Sequence, residues 1–251
     1  MSRHYSNFGI FILAVVFTTA CKIYYPAQEA ASLVKVNNSF SADTAIKVFY
    51  KPYKDSLDKI MKVPLAELTE DLTKKLPEST LGNMMADILK VKTAEYTNDK
   101  IDVAILNYGG IRSSSLTKGM LNVEHAYLLM PFDNYVVEQT LTGQQLSDFC
   151  DSMAMKKGWP VSGISFQIKN DKAINILVNS APLDLNKKYK VAINDYLANG
   201  GDGMTFLKSI PQIQTGRLFR DAIMEYWSVQ TKAGKKISAK LENRISSILH
   251  N

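Results

Sequence analysis

Residues Asn194-Asp195-Tyr196-Leu197-Ala198-Asn199-Gly200-Gly201-Asp202-Gly203 place an aromatic ring and a carboxylate six residues apart in a glycine-rich stretch. Glycines here let the backbone turn through positive φ and let another molecule come close. Tyr196 can stack on a planar ring, and Asp202 can accept hydrogen bonds from neighbouring hydroxyls. An isolated stretch of this kind is more often a hairpin turn with a structural aspartate, but two other segments carry matching chemistry. Asn107-Tyr108-Gly109-Gly110-Ile111-Arg112 offers an amide and a guanidinium, whose rigid fork of donors suits an anion or a carbonyl-rich ligand. Pro131-Phe132-Asp133-Asn134 adds a second ring and another amide. Two rings, a carboxylate, amides and an arginine are the groups that a nucleoside or nucleotide calls for. Stacking on the base alone is worth about 1–3 kcal/mol.

Other chemistries find little support. The histidines are His4, His125 and His250, and none sits in a metal-binding spacing. His125 reads as a helix-face residue. Cys150 falls inside a helical pattern and reads as a small core residue rather than a nucleophile. A Gly-x-Ser-x-Gly elbow is absent. The net charge of +6 suits anionic ligands in a general way. From Lys208 onward the basic excess is marked, with Arg217, Arg220, Lys232, Lys235, Lys236, Lys240 and Arg244 against Asp221, Glu225 and Glu242. It reads as a solvated helical face and tail. No zinc-finger spacing, RNP-like motif or basic-aromatic ladder points to a nucleic acid polymer.

The N-terminus reads as a targeting segment. Arg3 and His4 form a short polar region, and Phe8 to Phe17 is an apolar core too short to span a bilayer. Thr18-Thr19-Ala20 then supplies small residues before Cys21. This resembles a bacterial lipoprotein signal, although Thr18 stands where leucine is usual; plain secretion is the alternative. The expected organisation is a signal over residues 1–20, lipid attachment at Cys21 with a tether over 21–41, and one domain over 42–251. The expected location is export, with a lipid anchor in a bacterial envelope membrane.

Elements able to carry these loops are legible in the hydrophobic pattern. Asp43 to Met61 reads as a helix with Ile46, Val48, Phe49, Tyr53 and Leu57 on its apolar side. Val63 to Leu68 reads as a strand with Pro64 near its start. A helix capped by Ser79 or Thr80 runs to about Tyr96. Asp102 to Asn107 is a short strand, Asn122 to Leu129 a short helix, Tyr135 to Leu141 a strand, and Gly143 to Met155 a helix with Leu146, Phe149 and Met153 on one face. Val161 to Phe166 and Ala173 to Val178 read as paired strands. Lys188 to Ile193 is a strand, and Arg217 to Thr231 a last helix. Interleaved helices with hairpin-like strand links favour a mixed α/β sandwich over a doubly wound parallel sheet.

The ordered set Leu81-Gly82-Asn83, Asn107-x-Gly-Gly-Ile-Arg112, Pro131-Phe132-x-Asn134 and Asn194-Asp-Tyr-Leu-Ala-x-Gly-Gly-Asp-Gly203 resembles the C-terminal, substrate-binding domain of 5'-nucleotidases. The resemblance implies an α+β fold, a layered α/β/β/α sandwich, and loops that converge on one site. It implies that Phe132 and Tyr196 clamp a base, with tyrosine where phenylalanine is usual. Asp202 would hold the ribose, and Asn107, Arg112 and Asn134 would contact base, ribose or phosphate, with Gly109, Gly110 and Gly201 shaping the loops. A family arginine ahead of the Leu-Gly-Asn segment has only Lys74 and Lys75 near its place, which would weaken phosphate binding. The family's two-metal phosphatase motifs do not occur in this sequence, so no catalytic or metal-binding residue is assigned. Divalent metals are expected only in a separate metallophosphatase chain that would act with this one. The alternative is a free-standing nucleoside- or nucleotide-binding lipoprotein without a hydrolase role.

Overall fold

The computed structural model describes Leu33, Asn37 and residues 41–248. The signal, Cys21, nearly all of the tether and His250 lie outside the described residues. The described residues fall into two units that divide between Phe49 and Tyr50.

Helix α1 (Thr44–Met61) starts where Asp43 accepts the N–H groups of Ala45 and Ile46. Lys51–Asp55 and Lys54–Asp58 pairs support it four residues apart. The helix forms as its pattern predicts, yet none of its residues is buried, and the expected apolar side stays exposed, from Leu57 at 54% to Phe49 at 74%.

The second unit is built on a five-stranded sheet of β3 (Val103–Ile105), β6 (Tyr135–Thr142), β7 (Val161–Ser162), β11 (Lys188–Asn194) and β12 (Gln212–Leu218). The strand order is β12-β6-β11-β3-β7, with only β11 and β3 parallel. Side chains alternate across it. Val103, Ile105, Val137, Leu141, Val191 and Ile193 face one core. That core is completed by Leu146, Phe149 and Met153 of α4 (Gly143–Met155) and by residues of β8 (Ile164–Lys169) and β9 (Lys172–Val178). Ala104, Val136 and Ala192 face the other, together with α2 (Thr80–Thr97) and α6 (Phe219–Lys232). The small alanines on this face allow α2 to lie close across the sheet; it touches all five strands. Trp227 and Phe219 of α6 and Phe149 of α4 are fully buried, each such ring being worth about 1.5–3 kcal/mol or more of transfer free energy.

A second sheet has the order β10-β9-β8-β13, with β10 at Ala181–Pro182 and β13 at Ile245–Ser247. Two small ladders pair β1 (Pro64–Leu68) with β5 (Gly119–Asn122) and β2 (Leu72–Thr73) with β4 (Ser115–Leu116). The architecture is the mixed α/β sandwich read from the sequence. Its caps follow local chemistry: Ser79 Oγ accepts Gly82 N–H at the start of α2, and Thr142 with Gln145 forms a capping box on α4.

Three expectations are corrected. Val161 to Phe166 is not one strand: it breaks at Gly163, whose φ is +74°, so β7 joins β3 in the central sheet while β8 pairs with β9 in the other. The last helix begins at Phe219, and Arg217 lies in β12, an edge strand paired with β6. The basic tail is not simply solvated. Ile237 bridges to Leu68, β13 pairs in parallel with β8, and Arg244 donates to both oxygens of Asp87 at 2.8 Å, to Glu242 and to the carbonyl of Val161. Arg220 is buried as well. The Leu81-Gly82-Asn83 segment serves this tail: buried Asn83 donates to Glu78 and to the carbonyl of Lys240.

Candidate functional site

Parallel pairing brings the C-terminal ends of β3 and β11 to the same end of the sheet, so Asn107 and Asn194 leave their strands side by side. Both are buried. Asn194 caps α5 (Asp195–Ala198) by accepting Leu197 N–H, and its amide donates to Asn107 Oδ1 at 3.2 Å. Asn107 in turn donates to Asp202 Oδ2 at 2.9 Å. Tyr196 OH donates to the other oxygen, Oδ1, at 3.0 Å. Two amides, a carboxylate and a phenol thus form one chain of hydrogen bonds across two strand ends. In the glycine-rich loop, Gly200 and Gly203 take φ of +85° and +83°, conformations that favour glycine. After β3, the helical turn at Tyr108–Gly110 packs so closely that a Cβ on Gly110 would stand 2.7 Å from Asn107 Oδ1.

Lys74 supports this turn. Its ammonium donates to the carbonyls of Ile111 at 2.6 Å and Tyr108 at 3.2 Å and lies 4.0 Å from the Tyr108 ring centroid. Burial, and then the positive charge of Arg112, push its pKa down. Arg112 itself is exposed, 5.7 Å from the centroid of the Phe132 ring, and has no carboxylate partner within ion-pair distance among the described residues. Its cation is available to an anion.

The Phe132 loop is held from behind by Arg220. That guanidinium contacts the carbonyls of Met130 and Phe132 at 3.4 Å, pairs with Asp133 at 2.8 Å and stacks 4.3 Å from the Tyr127 ring centroid. Asp195 joins the loops by accepting Tyr135 N–H at 3.1 Å, and burial pushes its carboxyl pKa up. Phe132 and Tyr196 remain 40% and 44% exposed, which is where stacking faces are usable.

Every expected residue except Gly201 lines a single cleft of ≈ 360 Å³, within the range of small-molecule sites. The residues are Asn107, Gly109, Gly110, Arg112, Phe132, Asn134, Tyr196 and Asp202. Gly201 lies behind it, against the Tyr196 ring. Three contributors escape sequence reasoning. Asn194 was legible as part of a motif but not as the buried partner of Asn107. Lys74, which the sequence offers only as a substitute cation, clips backbone carbonyls. Arg220 carried no local signal, since its loop partners are about 90 residues earlier.

The cleft can stack a planar ring, accept hydroxyl protons at Asp202 and attract negative charge at Arg112. It does not fit a dimetal centre, having one carboxylate and no imidazole. His125 instead closes the capping box of α3 (Val123–Leu129) with Asn122. Burial pushes the Cys150 thiol well up, which keeps it unreactive. Among the described residues no group of three or more His, Cys, Asp or Glu could hold a metal ion.

The family model described as "5'-nucleotidase, C-terminal domain" matches residues 59–209. A 5'-nucleotidase of Vibrio parahaemolyticus is 27% identical over 207 residues, covering 77% of this chain and 35% of the relative. Protein UshA of Escherichia coli is 28% identical over 144 residues, covering 54% of this chain and 26% of the relative. Among solved structures, a 5'-nucleotidase precursor from Thermus thermophilus superposes with a TM-score of 0.70 at 27% identity, over 82% of this chain and 43% of that one. The chain therefore spans well under half the length of the proteins it resembles, and the matched part is the one carrying the cleft. On the fold, the motifs and the family match together, the chain belongs to the 5'-nucleotidase C-terminal domain family.

Proposed function

We propose that this domain is the nucleoside- or nucleotide-binding half of a 5'-nucleotidase-like phosphohydrolase. The observation that carries the reading is one cleft in which two exposed rings, a hydrogen-bonded carboxylate and a guanidinium with no carboxylate partner among the described residues meet. Phe132 and Tyr196 take the base, Asp202 the ribose hydroxyls, and Arg112 the phosphate side. The water nucleophile and the divalent metals that would activate it belong to a separate metallophosphatase chain. Lipidation at Cys21 would hold the pair at a bacterial envelope membrane. In this scheme the domain's own work is to bind and orient. Positioning of this kind can supply several kcal/mol of a barrier, about 7–11 in the best cases.

Calorimetric titration with adenosine and AMP tests the binding step. Saturable binding is expected, weakened in Tyr196→Ala and in Asp202→Ala, with a selective loss for AMP in Arg112→Ala. Absence of binding by the unaltered chain, alone and with its phosphatase partner, overturns the reading. Mixing the chain with a candidate metallophosphatase, AMP and a divalent metal, with release of phosphate as readout, tests the partnership. The cleft holds one carboxylate and no imidazole, as a second reading, ligand capture without hydrolysis, also requires; that reading predicts binding with no phosphate release in any mixture.

A further inference from the structure

Tyr196 has a hydroxyl that stacking does not use. Its ring lies against the backbone of Gly201, where a Cβ would stand 2.4 Å from Cε1 and 2.5 Å from Cζ. From that position the hydroxyl donates to Asp202 Oδ1 at 3.0 Å and accepts Asp202 N–H at 3.2 Å. Asp202 has a φ of +51°, a left-handed conformation that a residue with a side chain keeps only with local support. Its second carboxylate oxygen is held by Asn107, itself fixed by buried Asn194. The carboxylate is thus anchored at both oxygens, and each oxygen retains a further lone pair.

The geometry points to the Tyr196 hydroxyl as a positioning residue that sets Asp202 for the paired hydroxyls of a ribose and so makes the site discriminate by sugar. This rests on the reading of the cleft as a nucleoside site. A carboxylate on an exposed glycine-rich loop would otherwise have to be ordered by the ligand, and that ordering lowers affinity. Only ligands that use the carboxylate bear this cost. A ligand that stacks but lacks both hydroxyls does not. Phenylalanine at 196 preserves the ring and its contact with Gly201 while removing both hydrogen bonds, so the two roles of this side chain can be separated.

The experiment compares dissociation constants of adenosine and 2',3'-dideoxyadenosine for the full chain and for Tyr196→Phe, Asp202→Ala and the double variant. The unaltered chain is expected to prefer adenosine. Tyr196→Phe should reduce that preference about tenfold, the scale of one hydrogen bond to a charged group, with the loss falling on adenosine. Asp202→Ala should abolish the preference, and adding Tyr196→Phe to it should change nothing more. A preference that survives intact in Tyr196→Phe, or a gain in adenosine affinity there, overturns the inference and leaves the nucleoside reading standing. So does equal binding of the two ligands by the unaltered chain. Parallel loss of both ligands in Tyr196→Phe also overturns it, since the hydroxyl would then be holding the ring. Failure of the unaltered chain to bind either nucleoside overturns the site reading itself.

Discussion

Arg217 and Arg220 stand three residues apart and are equivalent in any sequence pattern, but Arg220→Ala should cost stability and Arg217→Ala should not. Arg217 is exposed; its guanidinium lies 5.7 Å from the Tyr96 ring centroid and its charge acts on Glu225 through solvent, so its removal should cost about 0.5 kcal/mol or less. Arg220 is buried. Its partner Asp133 is 78% exposed, so that ion pair contributes only about 0.5 kcal/mol. Stacking on Tyr127 contributes about 1 kcal/mol, and burial of the aliphatic stem about another 1 kcal/mol. The two long bonds to carbonyls add about 0.5 kcal/mol each. Against this, Arg220 Nε is buried with no hydrogen-bond partner, and its removal should return about 1 kcal/mol. The net loss is about 2–3 kcal/mol, which for a domain of this size lowers Tm by about 4–12 °C. Thermal unfolding of both variants by circular dichroism measures it. A shift below about 1 °C for Arg220→Ala, or equal shifts for the two variants, would refute the assignment of Arg220 as the anchor of the Phe132 loop.

Other outcomes follow from the same structure. Arg244→Ala should destabilise by about 2–3 kcal/mol in urea unfolding and make residues 238–248 the first site of limited proteolysis, because the Asp87 and Val161 contacts hold that segment. Gly143→Ala should be more severe than an ordinary helix substitution: its Cβ would fall 2.0 Å from the backbone carbonyl oxygen of Asp184, with at least about 2 kcal/mol lost in the same assay. Gly201→Ala should displace the exposed Tyr196 ring, lowering nucleoside affinity about tenfold or more while Tm moves little. Burial raises the pKa of Glu225, but hydrogen bonds from Tyr96 and Lys92 outweigh it and hold the carboxyl below its ordinary 4.5. The folded pKa is therefore depressed: the stabilisation is complete above about pH 4.5 and fades as pH falls through the folded value. Urea midpoints measured across acidic pH should decline less steeply for Glu225→Gln than for the unaltered chain.

The site was legible where its chemistry is local. Glycine-rich turns, an arginine after Gly-Gly-Ile and a ring after proline are written contiguously, and so are the caps of α2 and α4. Their convergence was not, because it depends on β3 and β11 lying side by side although 88 residues separate Asp102 from Lys190. Arg220 and Arg244 looked like solvated charge because their partners lie 87 and 157 residues away. Edge strand β12 shows no alternation in its burial, with Gln212, Thr215 and Leu218 as its half-buried positions, so period-two reasoning had nothing to find. The break at Gly163 hid the change of sheet between β7 and β8, since a single glycine in an apolar run reads equally as a bulge.

The anchoring of residues 237–247 has a consequence for how the molecule is made. Ribosomes deliver α2 with Asn83 and Asp87 long before Lys240 and Arg244 exist, a lag of 157 residues in each pairing. Until those arrive, β8 lacks its parallel neighbour and Leu68 its bridge to Ile237. Closure over so long a sequence separation raises contact order and slows folding. Locking of this flank therefore waits on synthesis through Ser247.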